Sequence, residues 1–322
     1  MKIKFNDMLR KVRKEVPLLF CKTILVFTIF CCILLDHFTF ARSYKFNQYE
    51  RLIGKIEKYI VPDGKQSLED IMSRFQVGLL GTLQLNPELD VYLPSPGSEV
   101  ILPSQMILPK LKKDDKILIN LAELRMYHLL KKEKIVSVYP VGIGQIEAST
   151  PTFEAKVIQM IKNPSWVPTN NIRKRYAKEG INLPKVVPSG TDNPMGMYAI
   201  RLSYGHGEYL IHGTNENFGI GSRVTSGCIR LRKEDIKDLF SKVKVGDNVR
   251  IINEPIKYSK ESDGECYIEA HRPLSERTES TMSYEKNLEL KDFLEENKID
   301  KIFFLKAISD QLGIPIKLKK NT

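Results

Sequence analysis

The sequence has few of the residues that cross-link small folds. Its 322 residues include five cysteines and one tryptophan. No two cysteines form a Cys-x-x-Cys pair, which excludes a zinc ribbon, and their uneven placement argues against a disulfide scaffold. The hydrophobic fraction of 42% and the charged fraction of 28% are typical of folded soluble chains. Wholesale disorder, collagen and coiled coil are therefore disfavoured, and the length suits about two domains.

The hydrophobic run near the amino terminus is short. Residues 23–35 are uncharged and apolar, but 13 residues give about 20 Å of helix, less than the roughly 30 Å of a hydrocarbon core. Seven lysines and arginines lie within residues 1–22, and Ala41 supplies a small side chain after the run. This order predicts an export signal over residues 1–41, either a cleaved signal peptide or a signal anchor. An anchor would associate the chain with the inner membrane.

The charge balance is basic. Lysine plus arginine exceeds aspartate plus glutamate by 50 to 39, a net charge of +11. Such a balance favours anionic partners: nucleic acid, a membrane surface or an acidic polymer. Because the predicted signal exports the chain, nucleic acid is not expected. Of the cysteines, only Cys228 and Cys266 lie in the exported part, where an oxidising compartment would allow them to pair.

Two segments precede the main domain. Residues 42–58 are polar and predict a linker. Residues 59–104 predict a strand, two helices and a strand, with Ser67 as an N-cap and Asp70 three residues later. This order resembles a LysM module, a small fold that binds cell-wall glycan. The residues that carry the resemblance are Tyr59, Leu68, Phe75, Asn86-Pro87, Gly97 and Ile101-Leu102-Pro103.

Residues 112–255 predict a mainly β domain. Strand-like runs cover residues 117–121, 125–130, 135–141, 197–202, 208–211 and 249–252, with one amphipathic helix over residues 233–243. We therefore expect a β-sandwich with helical decoration. Residues 256–322 are rich in lysine, glutamate and serine, and predict a charged C-terminal extension with a helix near residues 284–312.

The chemistry lies between His212 and Cys228. A cysteine nucleophile needs a nearby imidazole to take its proton and backbone amides to stabilise the developing oxyanion. His212 ends a predicted strand, and Cys228 follows 16 residues later in the stretch Thr225-Ser226-Gly227-Cys228-Ile229-Arg230. Gly227 allows a close approach of the backbone, and Arg230 adds positive charge beside the thiol.

This stretch resembles the signature of the L,D-transpeptidase catalytic domain, in which a histidine precedes a Ser/Thr-His-Gly-Cys motif. The sequence departs from the signature at Ser226, where the family usually has a second histidine. Further matches lie at residues 117–127, 141–145, 187–196 and 212–221. The whole chain is similar to the enterobacterial subgroup that carries a LysM-like module. The resemblance implies a mainly β fold and a periplasmic enzyme that forms 3–3 crosslinks or attaches a Braun-type lipoprotein to peptidoglycan.

The resemblance also implies the roles of the site residues. Cys228 attacks the diaminopimelate carbonyl of a tetrapeptide stem, D-alanine leaves, and an amine resolves the thioester. His212 moves the proton, and the Gly213 carbonyl orients its imidazole. The amides of Gly227 and Cys228 form the oxyanion hole, and Arg230 binds a stem carboxylate. No metal or organic cofactor is needed.

Other expectations stay open at this point. Met195 and Tyr198 follow the Asn193-Pro194 turn and are expected to border the cleft, with Ser226 also in the substrate region. One alternative is a wall-binding protein without turnover, in which Cys228 pairs with Cys266. Another keeps the site but uses water as the acceptor, which gives an L,D-carboxypeptidase or amidase.

Overall fold

A computed structural model describes residues 41–47, 49–272 and 287–321. The predicted export signal lies outside these residues, apart from Ala41. Among the described residues, no helix is both long and apolar enough to span a bilayer.

Eighteen strands and six α-helices make up the described part of the chain. The strands are β1 (Arg42–Lys45), β2 (Leu52–Gly54), β3 (Glu57–Ile60), β4 (Glu99–Leu102), β5 (Gln105–Ile107), β6 (Ile117–Asn120), β7 (Arg125–Leu130), β8 (Ile135–Pro140), β9 (Ile143–Gly144), β10 (Phe153–Lys162), β11 (Tyr198–Leu202), β12 (Leu210–His212), β13 (Arg223–Thr225), β14 (Ile229–Arg230), β15 (Asn248–Ile252), β16 (Ile256–Lys260), β17 (Cys266–Ala270) and β18 (Pro315–Lys317). The helices are α1 (Leu68–Phe75), α2 (Leu79–Leu85), α3 (Asn170–Lys178), α4 (Lys233–Lys242), α5 (Leu288–Glu296) and α6 (Lys301–Asp310).

The main domain is built on one nine-stranded sheet. Its strand order is β1-β8-β7-β6-β15-β10-β11-β12-β14. Side chains from strands along this order and from α4 form one buried apolar cluster, which includes Ile119, Ile200, Ile211, Ile229 and Leu239. The prediction of a mainly β fold with helical decoration is therefore confirmed.

The predicted two-sheet sandwich appears instead as a single curled sheet, and β10 is the reason. Its first half, from Phe153 to Lys156, pairs with β15. Its second half pairs with β11, and the register shifts between Val157 and Gln159. Such an irregularity bends and twists a strand. One ten-residue strand thus joins the strands on the β15 side to those that carry the active site.

The four elements β3, α1, α2 and β4 form what we call the βααβ module. Strands β3 and β4 pair antiparallel, and a separate apolar cluster that includes Leu68, Ile71 and Leu102 lies inside the module. Helix α1 has the predicted cap: the Asp70 amide donates to Ser67 Oγ at 3.1 Å. The element order is the one that the sequence predicts.

The βααβ module is clamped to the loop that follows His212. The amides of Leu79 and Leu80, at the start of α2, donate to the carbonyls of Ile220 and Gly221 at 3.0 and 3.1 Å. A Cβ built on Gly221 would lie 2.3 Å from the Gly78 Cα, so the two backbones touch at a point that only glycine allows.

An ion pair strengthens this clamp from the other side of the active-site loop. The Arg232 side chain is fully buried, and its Nε donates to Glu69 Oε1 at 3.0 Å. Its Nη2 donates to the Val77 carbonyl at 3.0 Å. Because Arg232 lies two residues after the end of β14, the module is tied to the chain on both sides of Cys228.

Residues 42–58, predicted as a linker, contain paired strands. Strand β1 pairs with β8 at the edge of the large sheet, and β2 pairs with β5. The segment is polar because β1 is an edge strand in which half-buried and exposed residues alternate. Edge strands carry little of the apolar signal that marks a central strand.

The region after β15 has a core of its own. Strands β16, β17 and β18 form a three-stranded sheet, and α5 and α6 cover apolar residues that include Cys266, Ile268 and Phe304. The single helix predicted near residues 284–312 is wrong in this respect, because the chain leaves helical geometry between α5 and α6. Lys298 there has a φ of 51°, in the left-handed region. Residues 284–286 of that prediction lie outside the described residues.

A buried ionic cluster joins this region to the main sheet, and we call it the ionic joint. It consists of Glu123, Arg125, Lys257, Glu269 and His271. Lys257 Nζ lies 2.8 Å from Glu123 and 3.0 Å from Glu269, and Arg125 Nη1 lies 2.9 Å from Glu269. The Ile107 amide of β5 donates to the same glutamate at 2.6 Å.

Candidate active site

The register of two short strands brings the predicted catalytic residues to one face. Strands β12 and β14 pair in parallel, with Ile211 opposite Ile229 and His212 opposite Arg230. Alternate side chains of a strand point to the same side. Leu210 and His212 therefore share a face with Cys228 and Arg230, and all four line one cavity of about 430 Å³.

The turn before Cys228 is fixed by two threonines. The Thr225 hydroxyl donates to the Cys228 carbonyl at 2.6 Å and accepts from the Gly227 amide at 3.2 Å. Thr150 donates to the Gly227 carbonyl at 2.9 Å. Gly227 has a φ of 113°, which side chains other than glycine rarely adopt. The turn thus holds Cys228 at the edge of the cavity.

His212 is held as a neutral imidazole of one tautomer. Its Nδ1 lies 2.7 Å from the Gly213 carbonyl, and since a carbonyl only accepts, Nδ1 carries the proton. The Nε2 lone pair is then the acceptor. Burial lowers the pKa of His212 to about 4, with a further lowering by Arg230 and an opposing contribution from the Gly213 hydrogen bond.

Cys228 is a free, partly exposed thiol. Burial of its sulfur raises the pKa of the thiol, while an amide hydrogen bond from Leu210 and the charge of Arg230 act in the opposite direction. The described environment therefore favours a protonated thiol next to a neutral histidine. This pair can act by proton transfer from sulfur to imidazole during attack.

Cys266 is also free, and it lies buried inside the sheet of β16–β18. The alternative in which Cys228 pairs with Cys266 is wrong for this structure. The hypothesis of a wall-binding protein without turnover therefore loses the disulfide on which it depends.

Three arginines line the cavity: Arg175, Arg201 and Arg230. Burial lowers the pKa of Arg230, and its Nε is buried without a hydrogen-bond partner. The one acidic side chain among the lining residues is Glu208, which accepts from the His206 amide at 2.6 Å. The cavity is therefore basic and suits an anionic ligand.

Known proteins are similar to this chain over most of its length. It is 44% identical over 276 residues to a probable L,D-transpeptidase, YcfS, of Escherichia coli, which covers 84% of this chain and 86% of that protein. It is 40% identical over 298 residues to the probable L,D-transpeptidase ErfK/SrfK of Salmonella typhimurium, which covers 90% and 95%. The chain belongs to the L,D-transpeptidase family.

Two family models match consecutive regions of this L,D-transpeptidase. The L,D-transpeptidase catalytic domain matches residues 114–251, and the L,D-transpeptidase C-terminal domain matches residues 255–318. An NMR structure of the catalytic domain of the Enterococcus faecium L,D-transpeptidase has a TM-score of 0.33 at 18% identity, over 44% of this chain and all of that one. The C-terminal region of the transpeptidase, expected to be a charged extension, thus has both a fold and a family match.

The remaining predicted site residues of the transpeptidase fall in two groups. Met195 and Ser226 line the cavity with Cys228. Tyr198 is not among the lining residues: its ring packs on Phe240 with centroids 4.8 Å apart, and its carbonyl accepts from the Gly213 amide at 3.1 Å. The difference arises because Tyr198 begins β11, where the strand face directs the ring to the apolar core.

Sequence reasoning missed Arg175, Arg201 and Glu208. Arg175 lies on α3, in a stretch for which the sequence predicts no strand or helix. Its Nη2 donates to Ser226 Oγ at 2.8 Å and its Nη1 to Gln145 Oε1 at 3.1 Å. Ser226 therefore contacts an arginine from a distant helix, at the position where the family usually has a histidine.

One cluster in the described part of the transpeptidase has the spacing of metal ligands, and it lies in the ionic joint. It comprises Glu123, Glu269 and His271. Lys257 and Arg125 already form ion pairs with both carboxylates. These cations supply the positive charge that a metal would bring, so the residues present do not fit a metal ion.

Proposed function

We propose that this peptidoglycan L,D-transpeptidase cleaves the bond between diaminopimelate and D-alanine in tetrapeptide stems and transfers the acyl group to an amine. The observation that carries the proposal is the shared face of His212, Cys228 and Arg230 in one basic cavity. A thiol, a base and a cation on one face of the same cavity suit attack on the carbonyl of a substrate that carries carboxylates.

Acylation begins with a neutral pair. Cys228 Sγ attacks the carbonyl carbon while its proton passes to Nε2 of His212. The new C–S bond forms a tetrahedral oxyanion, and the C–N bond to D-alanine then breaks. The imidazolium returns its proton to the departing amine, so D-alanine leaves and a thioester remains.

The Gly213 carbonyl stabilises the transient imidazolium. It accepts from Nδ1 at 2.7 Å, and it takes the place that a carboxylate has in many catalytic triads. A carbonyl carries only a partial charge, so the resting histidine stays neutral in its buried position. This matches a mechanism in which the base takes its proton only when the substrate is bound.

We propose that the Cys228 backbone amide donates a hydrogen bond to the oxyanion. The Gly227 amide, proposed from the sequence as a second donor, donates to Thr225 Oγ1. A shift of that hydrogen bond towards the substrate oxygen would bring Gly227 into the oxyanion hole, and Thr225 Oγ1 would keep its bond to the Cys228 carbonyl.

The second half-reaction needs an amine. Its nitrogen attacks the thioester carbon, His212 takes the amine proton, and Cys228 leaves as a thiol after the proton returns to sulfur. We propose as acceptors a second stem peptide, which gives a 3–3 crosslink, or the lysine of a Braun-type lipoprotein. Water in the same position would give a tripeptide stem.

We further propose that the chain is exported to the periplasm and that the βααβ module is a LysM-like glycan-binding unit. The basic run and apolar segment of residues 1–35 support export. The strand–helix–helix–strand order of the module supports a LysM-like fold. The net charge of +11 would concentrate the enzyme on a wall rich in carboxylates.

The test is a mass analysis of peptidoglycan rich in tetrapeptide stems after incubation with the reduced protein. Wild type is expected to release D-alanine and Cys228→Ala to release none. Cys266→Ala is the matched control, because it removes the other cysteine of the exported part and leaves the cavity intact. A dimer, a lipoprotein conjugate or a tripeptide identifies the acceptor. No release by wild type would contradict the proposal.

A further inference from the structure

The cavity contains more positive charge than the proposed chemistry uses. Arg175, Arg201 and Arg230 all line it. Within the described ranges, none of the three forms an ion pair with a carboxylate, although each contacts the cavity that holds Cys228. Three cations that share one cavity with a single acidic residue, Glu208, point to an anionic ligand with more than one carboxylate.

Arg175 is mounted on a helix that faces the cavity rather than a core. Helix α3 has no buried residue. Ile172, Arg175 and Tyr176 line the cavity and lie three and four positions apart, so they form one face of the helix. The side chain of Arg175 is therefore directed at the space where a substrate would lie.

The guanidinium of Arg175 docks directly on the catalytic turn. It donates to Ser226 Oγ at 2.8 Å and to Gln145 Oε1 at 3.1 Å. The backbone amide of Gln145 donates to the Thr225 carbonyl at 2.9 Å. Both side-chain acceptors are neutral, and an arginine has five N–H donors, so three donors and the full charge remain for a ligand.

Two cations therefore contact or belong to the catalytic turn, one on each side of the nucleophile. Arg175 contacts Ser226, two residues before Cys228, and Arg230 lies two residues after it. Arg201 differs from both, because its donors bind the Gly207 carbonyl and Gln159 Oε1, away from the catalytic turn. A donor stem has carboxylates on both sides of the scissile carbonyl: that of D-alanine and that at the side-chain end of diaminopimelate.

We propose that Arg175 is a specificity-determining residue that binds the side-chain carboxylate of the diaminopimelate in the donor stem, while Arg230 faces the carboxylate of D-alanine. This inference rests on the proposed function. The Ser226 hydroxyl and Gln145 Oε1 together position Arg175, since both accept hydrogen bonds without neutralising the guanidinium. The enzyme should then select donors by the charge of the residue whose carbonyl it attacks.

The experiment compares three synthetic tetrapeptide donors with the full-length protein. One contains diaminopimelate, the second has its side-chain carboxyl amidated, and the third has lysine in its place. We expect wild type to lose about tenfold or more in kcat/KM on the second and third donors, mainly through KM, because a charge-assisted hydrogen bond is lost. Arg175→Gln should act on all three donors at the same low efficiency.

Two further variants separate substrate binding from a structural role of α3. Lys174→Gln removes one positive charge from the exposed face of the same helix and should keep the full preference for diaminopimelate. Arg175→Lys keeps the charge without the planar fork and should restore part of the preference. If Arg175→Gln proves unstable, the Arg175→Lys series carries the test.

The outcomes separate this inference from the proposed function. Equal losses on all three donors in Arg175→Gln, or no preference in wild type, would overturn the role of Arg175 and leave the transpeptidase reaction intact. Absence of turnover by wild type on every donor would overturn the proposed function and this inference with it.

Discussion

At the residue level, burial sets the protonation state of the Cys228–His212 pair. The pKa of His212 falls to about 4 and the pKa of the thiol rises, both chiefly through loss of solvation. Opposite shifts of this kind leave both groups neutral at neutral pH. The nucleophile is then protected from oxidation and alkylation in the resting enzyme, because the thiolate is the reactive form.

We predict that alkylation of Cys228 by iodoacetamide is slow at neutral pH and accelerates only as the pH rises towards and beyond 9, the ordinary value for a thiol. Mass spectrometry of the peptide that contains Cys228 measures the rate. Cys266, which is completely buried, serves as the internal control and should stay unlabelled. A rate that is constant from about pH 5 to neutrality would indicate a thiolate–imidazolium pair and contradict this prediction.

The sequence predicts the site residues that lie close together along the chain and misses one that lies far away. His212 and Cys228 lie within one 17-residue stretch, so their spacing is visible in the sequence. Arg175 lies 51 positions from the serine that it contacts, and its stretch contains several other arginines and lysines. Nothing local distinguishes it from a solvated charge, because only the fold brings α3 over the cavity.

At the level of elements, the βααβ module holds the loop between His212 and Cys228. Two amides at the start of α2 bind carbonyls of that loop, and Arg232 binds Glu69. The module is therefore part of the active-site scaffold in addition to any role in glycan binding. Damage to its contacts should reduce turnover without any change in the residues that line the cavity.

Gly221→Ala tests the closest backbone contact of the clamp. Gly221 has a φ of 82°, and an added Cβ would lie 2.3 Å from Gly78 Cα, so the loop must move. We expect a lower melting temperature and a fall in kcat of about tenfold or more, since small displacements of catalytic groups are costly. Gly97→Ala is the matched control: it has a φ of 81° but nothing within 4 Å of the added Cβ. Equal effects of the two substitutions would exclude a special role for the clamp.

Arg232→Ala tests the ion pair between Arg232 and Glu69. The substitution leaves Glu69 largely buried without its partner, and burial already raises the pKa of that carboxyl. We expect the free energy of unfolding to fall by about 3 kcal/mol or more, measured by denaturant titration. Lys58→Ala breaks the exposed pair with Glu99 in the same module and should cost less than about 1 kcal/mol. If both substitutions lowered the free energy of unfolding by a similarly small amount, the buried pair would add nothing to stability.

Two elements that the sequence misses, β10 and α3, share one property. β10 alternates apolar residues with lysine, glutamate and glutamine, because half of its side chains face solvent. α3 has no buried residue, so it lacks the apolar stripe by which helices are recognised. By contrast β6 is buried along its whole length, and the sequence predicts it within one residue. Exposure thus hides β10 and α3 from the sequence, whereas burial makes β6 predictable from its own residues.

At the level of the whole molecule, the ionic joint links β5, the main sheet and the C-terminal domain. Burial alone would raise the pKa of Glu269, but Lys257, His271 and Arg125 together hold it well below its usual range. A carboxyl with a lowered pKa contributes stability above its unfolded value of about 4.3 and loses that contribution as the pH falls further. We therefore expect acid to weaken the attachment of the C-terminal domain.

Lys257→Met tests the ionic joint. The substitution removes one of the two cations, Lys257 and Arg125, that pair with both buried carboxylates, and we expect a loss of about 3–5 kcal/mol in the free energy of unfolding. Lys317→Met, which breaks an exposed pair with Glu265, is the control and should cost at most about 1 kcal/mol. Denaturant titration at neutral pH and near pH 4 measures both. An unchanged midpoint for Lys257→Met would mean that apolar packing alone holds the domain.

The double pairing of β10 has a consequence for hydrogen exchange. Its first half is hydrogen-bonded to β15 and its second half to β11, so a ladder runs along most of the strand. The amides of β10 that donate in these ladders should therefore exchange slowly. α3, which buries nothing, can exchange quickly. The cavity would thus combine a slowly exchanging wall at Ile161 of β10 with a rapidly exchanging wall at α3.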